Sequence, residues 1–418
     1  LHQFRQDASS GSLPAVSWIV APQNFSDHPS APWYGAWYVS EVLDVLTKNP
    51  EVWKKTVFIL CYDENDGYFD HVPPFVAPHP TRPETGKASS GIDTSIDWAN
   101  VYGRESSIGL GYRVPLVIAS PWSRGGCVNS EVFDHTSVLR FLEVWLKGKG
   151  TPVMETNISD WRRVVCGDLT SAFRPYDDET LELPVPLTRD VEVERIHAAR
   201  FRERPHGGAP LTTDDVARAN VGSAQERGIR PACPLPYELV VNAEERGAEL
   251  ALSFEARTHM FGVASRGAPF NLYAYGSELT SRAYAVRAGD VVRDTLPAAA
   301  GYRVRIDGPN GFMREFVRPS AAGSGVNVAV EPAAKGSLEI RLTNAGTAER
   351  RVSVHDESYG APDQRASLRG GARSSIRVET TANHGWYDFS IRVDDVVYRY
   401  AGRVETGEWT ITDPAMGA

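Results

Sequence analysis

The sequence lacks several features that would assign it to a class at once. No apolar run reaches the roughly 18 residues that span a bilayer, which argues against a membrane-embedded chain. The four cysteines have no CxxC spacing, which argues against a zinc site of that type and favours buried free thiols. Positive charge is not in excess either. Because 44 Lys and Arg face 53 Asp and Glu, for a net charge of −9, polynucleotide is a poor candidate partner.

A signal peptide is also missing at the start. The chain begins with Leu1, and the residues that follow are typical of the middle of a protein. We therefore expect that any targeting segment was removed or lies upstream.

The composition is that of a folded, water-soluble protein. Hydrophobic residues make up 42% and charged residues 23% of 418 residues, enough for two or three domains. Residues 1–173 alternate short apolar runs with helix-like periodic segments, which predicts an α/β domain. Two apolar runs, Thr56–Tyr62 and Val114–Ser120, are typical of strands buried on both faces of a mostly parallel sheet.

Helical spacing and changes of composition divide the rest of the chain. Apolar residues recur at helical spacing in Tyr34–Leu46 and in His135–Leu146, so both stretches are predicted helices. Residues 174–234 are charged and contain proline, and we interpret them as a connecting segment packed against the first domain. Short alternating strands then predict two related β-sandwich modules, at residues 235–322 and 323–418.

An acidic segment follows the first predicted strand directly. It runs from residue 63 to 71 and contains Asp63, Glu64, Asp66, Asp70 and His71. In open α/β sheets ligands bind beyond the carboxyl ends of strands, and carboxylates there can hold a hard divalent cation. A solvated acidic turn is the alternative. An EF-hand is excluded, since counting from Asp63 puts glycine at the fifth position and not at the sixth.

Four separated blocks carry a resemblance to a known family. They are FSDHPSAP at Phe25–Pro32, YDENDGYFDHVPP at Tyr62–Pro74, ASPWSRGG at Ala119–Gly126 and FDHTSVLRFLE at Phe133–Glu143. In this order they resemble the bacterial secreted phospholipase C family, which belongs to the acid and alkaline phosphatase-like phosphoesterases. The tandem β modules are similar to the paired C-terminal domains of that family.

The resemblance implies a function and several partners. Such enzymes hydrolyse the phosphodiester between diacylglycerol and a choline-type head group in phosphatidylcholine, with sphingomyelin as a second candidate. The implied partners are a divalent metal ion of unknown identity, the phospholipid substrate and, peripherally, the membrane surface. The implied location is secreted or periplasmic. A phosphomonoesterase and a non-catalytic lipid- or carbohydrate-binding chain are the alternatives, and the oligomeric state stays open.

The family also places key groups upstream of the FSDHP block. These are a Glu-Asn metal-binding pair and the Thr or Ser nucleophile, which attacks phosphorus before water cleaves the phosphoenzyme. We therefore expect this chain to be the C-terminal part of a longer enzyme and inactive alone.

Within the acidic segment the resemblance assigns roles to individual residues. Asp63 and Glu64 stand where the family has catalytic metal ligands, and capping of the next turn is the alternative. Asp66, Asp70 and His71 are candidates for orienting those ligands, or for holding the turn.

Five further residues are candidates for the site. Two histidines and two tryptophans lie outside the acidic segment, and one tyrosine lies within it. His28, in a Ser-Asp-His-Pro turn, could hydrogen-bond a phosphoryl oxygen or protonate the leaving alkoxide. His135, at a predicted helix start, could contact anion or metal, or only form part of a cap. Trp37, Tyr68 and Trp122 are candidate walls of a choline cage, because quaternary ammonium binds over aromatic faces. For Trp37 the alternative is helix packing.

Overall fold

The computed structural model describes residues 1–28, 30–70, 72–176, 187–203, 208–218 and 228–416. The chain forms two compact units. Unit 1 comprises Leu1–Leu60, Leu116–Gly125 and Arg174–Ala224. Unit 2 comprises Cys61–Pro115, Gly126–Phe173 and Gln225–Ala418.

The α-helices and strands have the following bounds. The helices are α1 His2–Ser10, α2 Pro32–Thr47, α3 Pro50–Trp53, α4 His135–Gly148, α5 Asp160–Val165, α6 Arg189–Ala199 and α7 Thr213–Arg218. The strands up to residue 300 are β1 Phe58–Cys61, β2 Gly86–Ala88, β3 Trp98–Val101, β4 Arg104–Ser107, β5 Leu116–Ala119, β6 Pro231–Ala232, β7 Leu239–Arg246, β8 Glu249–Ala256, β9 Ala268–Tyr275, β10 Leu279–Val286 and β11 Val291–Pro297. The later strands are β12 Tyr302–Asp307, β13 Met313–Arg318, β14 Val326–Ala333, β15 Ser337–Asn344, β16 Arg350–Asp356, β17 Gln364–Leu368, β18 Arg373–Val378, β19 Trp386–Val393, β20 Val396–Arg403 and β21 Thr410–Ile411.

Both helices predicted from apolar spacing are confirmed, as α2 and α4. In unit 1, α2 begins at Pro32, whose fixed φ suits the first helical position. Its buried residues Val42 and Leu46 are four apart and lie on one face. Near its start, Trp37 packs on Phe25 with the ring centroids 5.7 Å apart.

The predicted connecting segment contributes a helix to unit 1. Helix α6 contacts α2 through Arg189, which forms ion pairs with Glu41 and Asp44. The hydroxyl of Tyr34 also lies 3.2 Å from Nδ1 of His197. These contacts are those expected of a segment packed against the first part of the chain.

The strands predicted as buried on both faces are β1 and β5, and the burial prediction is wrong. They pair with each other in a two-stranded sheet. Most of their residues are only half-buried, Val117 is 50% exposed, and Cys61 is exposed. Among the described residues this sheet has only two strands, so neither is flanked on both edges.

The prediction of buried thiols is correct for two of the four cysteines. All four are free. Cys166 and Cys233 are buried, but Cys61 is exposed and Cys127 is half-buried. The exposed thiol is the last residue of β1, at the accessible end of the small sheet.

In unit 2, one sheet of nine strands contains strands from both predicted β modules. Its order is β17-β16-β19-β20-β13-β12-β9-β10-β2. The pairing of β13 with β20, from Met313↔Ala401 to Val317↔Val397, joins the two halves. Two three-stranded sheets, β11-β8-β7 and β14-β15-β18, complete the β-rich part. One contiguous apolar cluster includes buried residues of both halves, so the halves share a core as well as a sheet.

A short strand from the first part of the chain closes one edge of this large sheet. Strand β2 pairs in parallel with β10, with Gly86 opposite Ala283 and Ala88 opposite Ala285. The amide of Ser89 continues the ladder by donating to the carbonyl of Ala285 at 2.9 Å. Residues that follow the acidic segment are therefore built into the C-terminal β structure.

A buried carboxylate lies where residues 126–173 meet the β strands of the same unit. The Glu131 side chain is buried, and Oε2 accepts a hydrogen bond from Ser171. Oε1 is 3.7 Å from Nε of Arg266 and has no hydrogen-bond partner among the described residues. Burial raises the pKa of Glu131 above its ordinary value, although Ser171 and Arg266 oppose the shift.

This raised pKa predicts a pH dependence of stability. A carboxyl whose pKa is higher in the folded state binds its proton more tightly there, so folding is favoured at low pH. The contribution is lost as the pH rises from the ordinary value through the raised one. Glutamine at position 131 has no proton to lose over this range. We therefore expect the free energy of unfolding of Glu131→Gln to fall less between about pH 4 and 8 than that of the wild type.

Urea unfolding over that pH range would measure the difference. Glu379→Gln is the control, because the Glu379 side chain is 65% exposed. Parallel pH profiles for Glu131→Gln and the wild type would contradict the prediction.

Candidate functional site

The acidic segment contains a tight turn that its own sequence specifies. The amide of Tyr68 donates to the carbonyl of Asn65 at 3.0 Å. The central residues Asp66 and Gly67 have φ of 50° and 72°. Positive φ at both positions defines a type I′ turn, for which Asp-Gly is a preferred pair. The turn leaves the residues on either side of it accessible: Asp63, Glu64, Tyr68 and Phe69 are exposed.

The two predicted metal ligands have the right donor chemistry. Asp63 and Glu64 present accessible carboxylate oxygens, which suit a hard divalent cation. Asp63 Oδ1 accepts from the amide of Glu64 at 3.1 Å, and Asp70 is half-buried. Within the described ranges, however, no three His, Cys, Asp or Glu side chains form a cluster that could hold a metal ion. His71 lies outside the described residues.

The residue that precedes this segment by two positions, Cys61, has a thiol with a raised pKa. Partial burial of its sulfur, with the negative charge of Asp63, raises the pKa of Cys61. A thiol with a raised pKa stays protonated near neutral pH, and the thiolate is the reactive form. The reactive thiolate form of Cys61 is therefore disfavoured near neutral pH.

His135 is held next to the acidic segment by a backbone contact. Its Nε2 lies 3.0 Å from the carbonyl oxygen of Tyr62, the residue that precedes Asp63. Since a carbonyl only accepts, Nε2 carries the proton in this contact. In the neutral ring Nδ1 then has the free lone pair and can accept a proton or bind a cation. The structure thus brings two predicted site elements together, although 73 residues separate them.

A capping box fixes the start of the helix that carries His135. Asp134 Oδ1 accepts from the Thr136 amide at 3.0 Å and from its hydroxyl at 2.6 Å. In return, the amide of Asp134 donates to Oγ of Ser137 at 3.1 Å. The cap residue is therefore Asp134, and His135 is the first residue of the helix, with its side chain exposed.

Arg162 supports this cap, and sequence reasoning missed it. Its Nη1 donates to Asp134 Oδ2 at 2.6 Å, and its Nε donates to Asp97 Oδ1 at 3.0 Å. The third nitrogen, Nη2, donates to the carbonyl of Gly109 at 2.8 Å. Arg162 is the third residue of α5, and no motif in the sequence links it to Asp134 or Asp97.

Three of the remaining candidates, His28, Trp37 and Trp122, belong to unit 1. His28 is exposed, and Trp37 and Trp122 are half-buried. The packing of Trp37 on Phe25 places part of its ring in helix packing, which was the alternative to a cage wall. Trp122 is held through its backbone: its carbonyl accepts from Arg174 and its amide donates to Ser120 Oγ. Tyr68, the third candidate cage wall, is 67% exposed in unit 2.

Comparison with known proteins gives matches to two family models. Residues 1–146 match the Phosphoesterase family, and residues 231–317 and 325–403 match the C-terminal domain of bacterial phospholipase C. In both of these parts the chain is similar to bacterial phospholipase C. The resemblance carried by the four sequence blocks is thereby confirmed. A phosphoesterase domain followed by a β-rich C-terminal part is confirmed too, while the domain boundaries drawn from the sequence stay a prediction.

Three relatives align along nearly the whole chain. A non-hemolytic phospholipase C of Pseudomonas aeruginosa is 38% identical over 442 residues, covering 100% of this chain and 60% of the relative. A non-hemolytic phospholipase C of Burkholderia pseudomallei is 36% identical, with 99% and 58% covered. A hemolytic phospholipase C of Pseudomonas aeruginosa is 33% identical, with 99% and 59% covered. The chain thus spans about three fifths of the length of these relatives.

The described residues contain no helix that is both long and apolar enough to cross a membrane.

Proposed function

We propose that this chain is the C-terminal part of a phospholipase C that hydrolyses phosphatidylcholine to diacylglycerol and phosphocholine, with sphingomyelin as a second substrate. The contact between His135 Nε2 and the Tyr62 carbonyl carries the proposal. It places an imidazole, whose Nδ1 has no hydrogen-bond partner among the described residues, beside the segment that begins with two accessible carboxylates. The names of the relatives support the same reaction class.

Asp63 and Glu64 would hold the divalent cation that the family implies. Such an ion, when bound, neutralises charge on the phosphoryl group and lowers the pKa of the nucleophile. Its remaining ligands, and the attacking Thr or Ser, are expected from the part of the relatives that precedes the FSDHP block. We therefore infer that the 418 residues alone do not turn over substrate.

The other candidate residues act on protons, on the phosphoryl group and on the head group. His135, oriented by the Tyr62 carbonyl, contacts the phosphoryl group or the cation through Nδ1. His28 protonates the leaving diacylglycerol alkoxide. Trp37, Tyr68 and Trp122 contribute aromatic faces for the quaternary ammonium group. Asp70 and His71 orient the carboxylate ligands, and Asp66 holds the turn.

The proposed substrate also implies where the enzyme acts. Phosphatidylcholine is presented in a membrane, so the protein must bind a membrane surface peripherally. We propose export, to the periplasm or to the medium.

Hydrolysis by the longest natural form of the chain tests the proposal. The substrates are phosphatidylcholine and a soluble phosphomonoester, each with and without chelator. We expect the long form to cleave the diester, the 418-residue form to be inactive, and chelator to abolish turnover. Asp63→Asn in the long form should lower turnover at least about a hundredfold, because a ligand carboxylate loses its charge.

Asp395→Asn is the matched control, since this exposed aspartate lies in the turn between β19 and β20. It should retain wild-type turnover. Preferential cleavage of the phosphomonoester would favour a phosphomonoesterase instead. Binding to lipid vesicles without any turnover by the long form would favour a non-catalytic lipid-binding chain.

A further inference from the structure

A β-hairpin in unit 2 has an unusual residue at its tip. Strands β3 and β4 pair from Trp98↔Ser107 to Val101↔Arg104, which leaves Tyr102 and Gly103 as a two-residue connection. Their φ angles are 52° and 74°, so the connection is a type I′ turn. The first position of this turn favours Asn, Asp or Gly, because a bulky side chain strains the left-handed conformation. A tyrosine there breaks the local rule.

Packing does not compensate for this strain. The Tyr102 side chain is fully exposed, at 101%. A Cβ atom added to the adjacent Gly103 would meet no described atom within 4 Å beyond its two chain neighbours, so the space beside Gly103 is open too. A strained residue that gains no contact within its own fold is expected to have a function outside it.

The base of the hairpin, in contrast, is firmly anchored. The indole Nε1 of Trp98 donates to the carbonyls of Ala77 and Pro78 at 3.2 and 3.1 Å. The His79 ring packs edge-on against Trp98, with the centroids 4.7 Å apart. On the other strand, Ser107 Oγ accepts from the amide of Ala77 at 3.2 Å. The anchored base holds the exposed tyrosine in one place.

The chemistry of the tip fits the head-group layer of a phospholipid membrane. Tyrosine has an apolar ring with a polar hydroxyl, and it is enriched where lipid meets water. Arg104 follows the turn, is exposed, and can pair with lipid phosphate. The adjacent negative charge of Glu105 is already bound by His79 and Arg82. The tip therefore combines an amphipathic ring with a cation.

We propose that Tyr102, at the tip of the β3–β4 hairpin, inserts into the head-group layer of phosphatidylcholine membranes and docks the protein on them. The inference deepens the proposed function, since it concerns how the enzyme reaches a membrane-held substrate. Docking itself requires no turnover, so it can be measured whether or not hydrolysis occurs.

Flotation of the 418-residue chain with phosphatidylcholine vesicles tests the docking role. We expect Tyr102→Asn to lower the vesicle partition coefficient about fivefold, because a partly buried aromatic ring is lost. The same change should raise the melting temperature by about 1 °C, because Asn tolerates the left-handed turn position. Tyr102→Trp should bind vesicles at least as well as the wild type.

His384→Asn is the matched control. His384 is exposed and also left-handed, with φ of 57°, but lies in the turn before β19. Its replacement should stabilise the fold in the same way without weakening vesicle binding. Equal partition coefficients for Tyr102→Asn and the wild type would overturn the proposal, as would an equal loss for His384→Asn.

A comparison of two substrates separates this inference from the proposed function. In the longest natural form, Tyr102→Asn should slow hydrolysis of vesicle phosphatidylcholine while leaving a soluble, monomeric phosphocholine diester unaffected. An equal loss on both substrates would overturn the docking role and indicate a defect at the reaction centre. If the wild-type long form cleaves neither substrate, the proposed function fails, and flotation still decides the role of Tyr102.

Discussion

Replacing Arg162 with methionine should lower the free energy of unfolding by about 3–5 kcal/mol, because it leaves two buried carboxylates without their counter-charge. The side chains of Asp97 and Asp134 are only 2% and 4% exposed, and the guanidinium of Arg162 bonds to both. It also donates to the Gly109 carbonyl. Denaturant unfolding of the 418-residue chain would measure the loss.

The neighbouring arginine on the same helix is the matched control. Arg163 pairs with Glu143 at 2.8 Å, but both side chains are nearly a fifth exposed, and water can replace part of the interaction. Arg163→Met should therefore lower the free energy of unfolding by about 1 kcal/mol or slightly more. Similar losses for the two variants would show that burial of the Arg162 network does not matter, contrary to the prediction.

Arg162→Lys distinguishes charge from geometry. Lysine keeps the positive charge but has no planar fork, so it cannot bond to two carboxylates and a carbonyl in the same arrangement. We expect Arg162→Lys to lower the free energy of unfolding, but by less than Arg162→Met does. Because Asp134 caps the helix that begins with His135, both Arg162 variants should also lower activity in the longest natural form.

Gly86→Ala should destabilise the protein by about 3 kcal/mol or more, because the new methyl group has no room. A Cβ atom at Gly86 would lie 1.8 Å from the carbonyl oxygen of Ala283, which belongs to the paired strand β10. The φ of 120° at Gly86 is also one that L side chains rarely adopt. Strand β2 must therefore shift or detach from the large sheet.

Thermal unfolding and amide hydrogen exchange would test this result. Faster exchange of the Ser89 amide, which donates to Ala285, would report detachment of the strand directly. Gly91→Ala is the control, since Gly91 also has positive φ, 77°, but has open space around its Cβ position. Gly91→Ala should lower the free energy of unfolding by only about 1 kcal/mol, because it adds only the strain of an alanine in the left-handed conformation. Equal losses at both glycines would contradict a steric role for Gly86.

Two separate structural supports hold the acidic segment and His135 in place. The residues that follow the acidic segment are fixed through β2, and the helix of His135 is fixed through Asp134 and Arg162. Both supports lie within unit 2, and one of them uses the β-rich part of the chain. The C-terminal strands thus stabilise residues that the family match assigns to the phosphoesterase part.

The sequence by itself determined the features that depend on neighbouring residues. Helices α2 and α4 follow from apolar residues at helical spacing, and the Asp66–Gly67 turn follows from the preference of that pair for positive φ. The resemblance to bacterial phospholipase C also followed from the sequence, since four short blocks in a fixed order carry it. For the helices and the turn, the decisive interactions lie within a few residues along the chain.

Only the tertiary structure decided the features that join distant residues. Arg162 lies 65 residues from Asp97, and the Tyr62 carbonyl lies 73 residues from His135. The pairing of β2 with β10 and of β13 with β20 also joins residues that are far apart in sequence. The half-burial of β1 and β5 depends on which elements pack on the faces of their sheet. Such contacts leave no periodic pattern, because partners far apart in sequence are chosen by packing and by the need to satisfy buried polar groups. The sequence therefore supplied the chemical groups of the candidate site, and the fold decided how they are held.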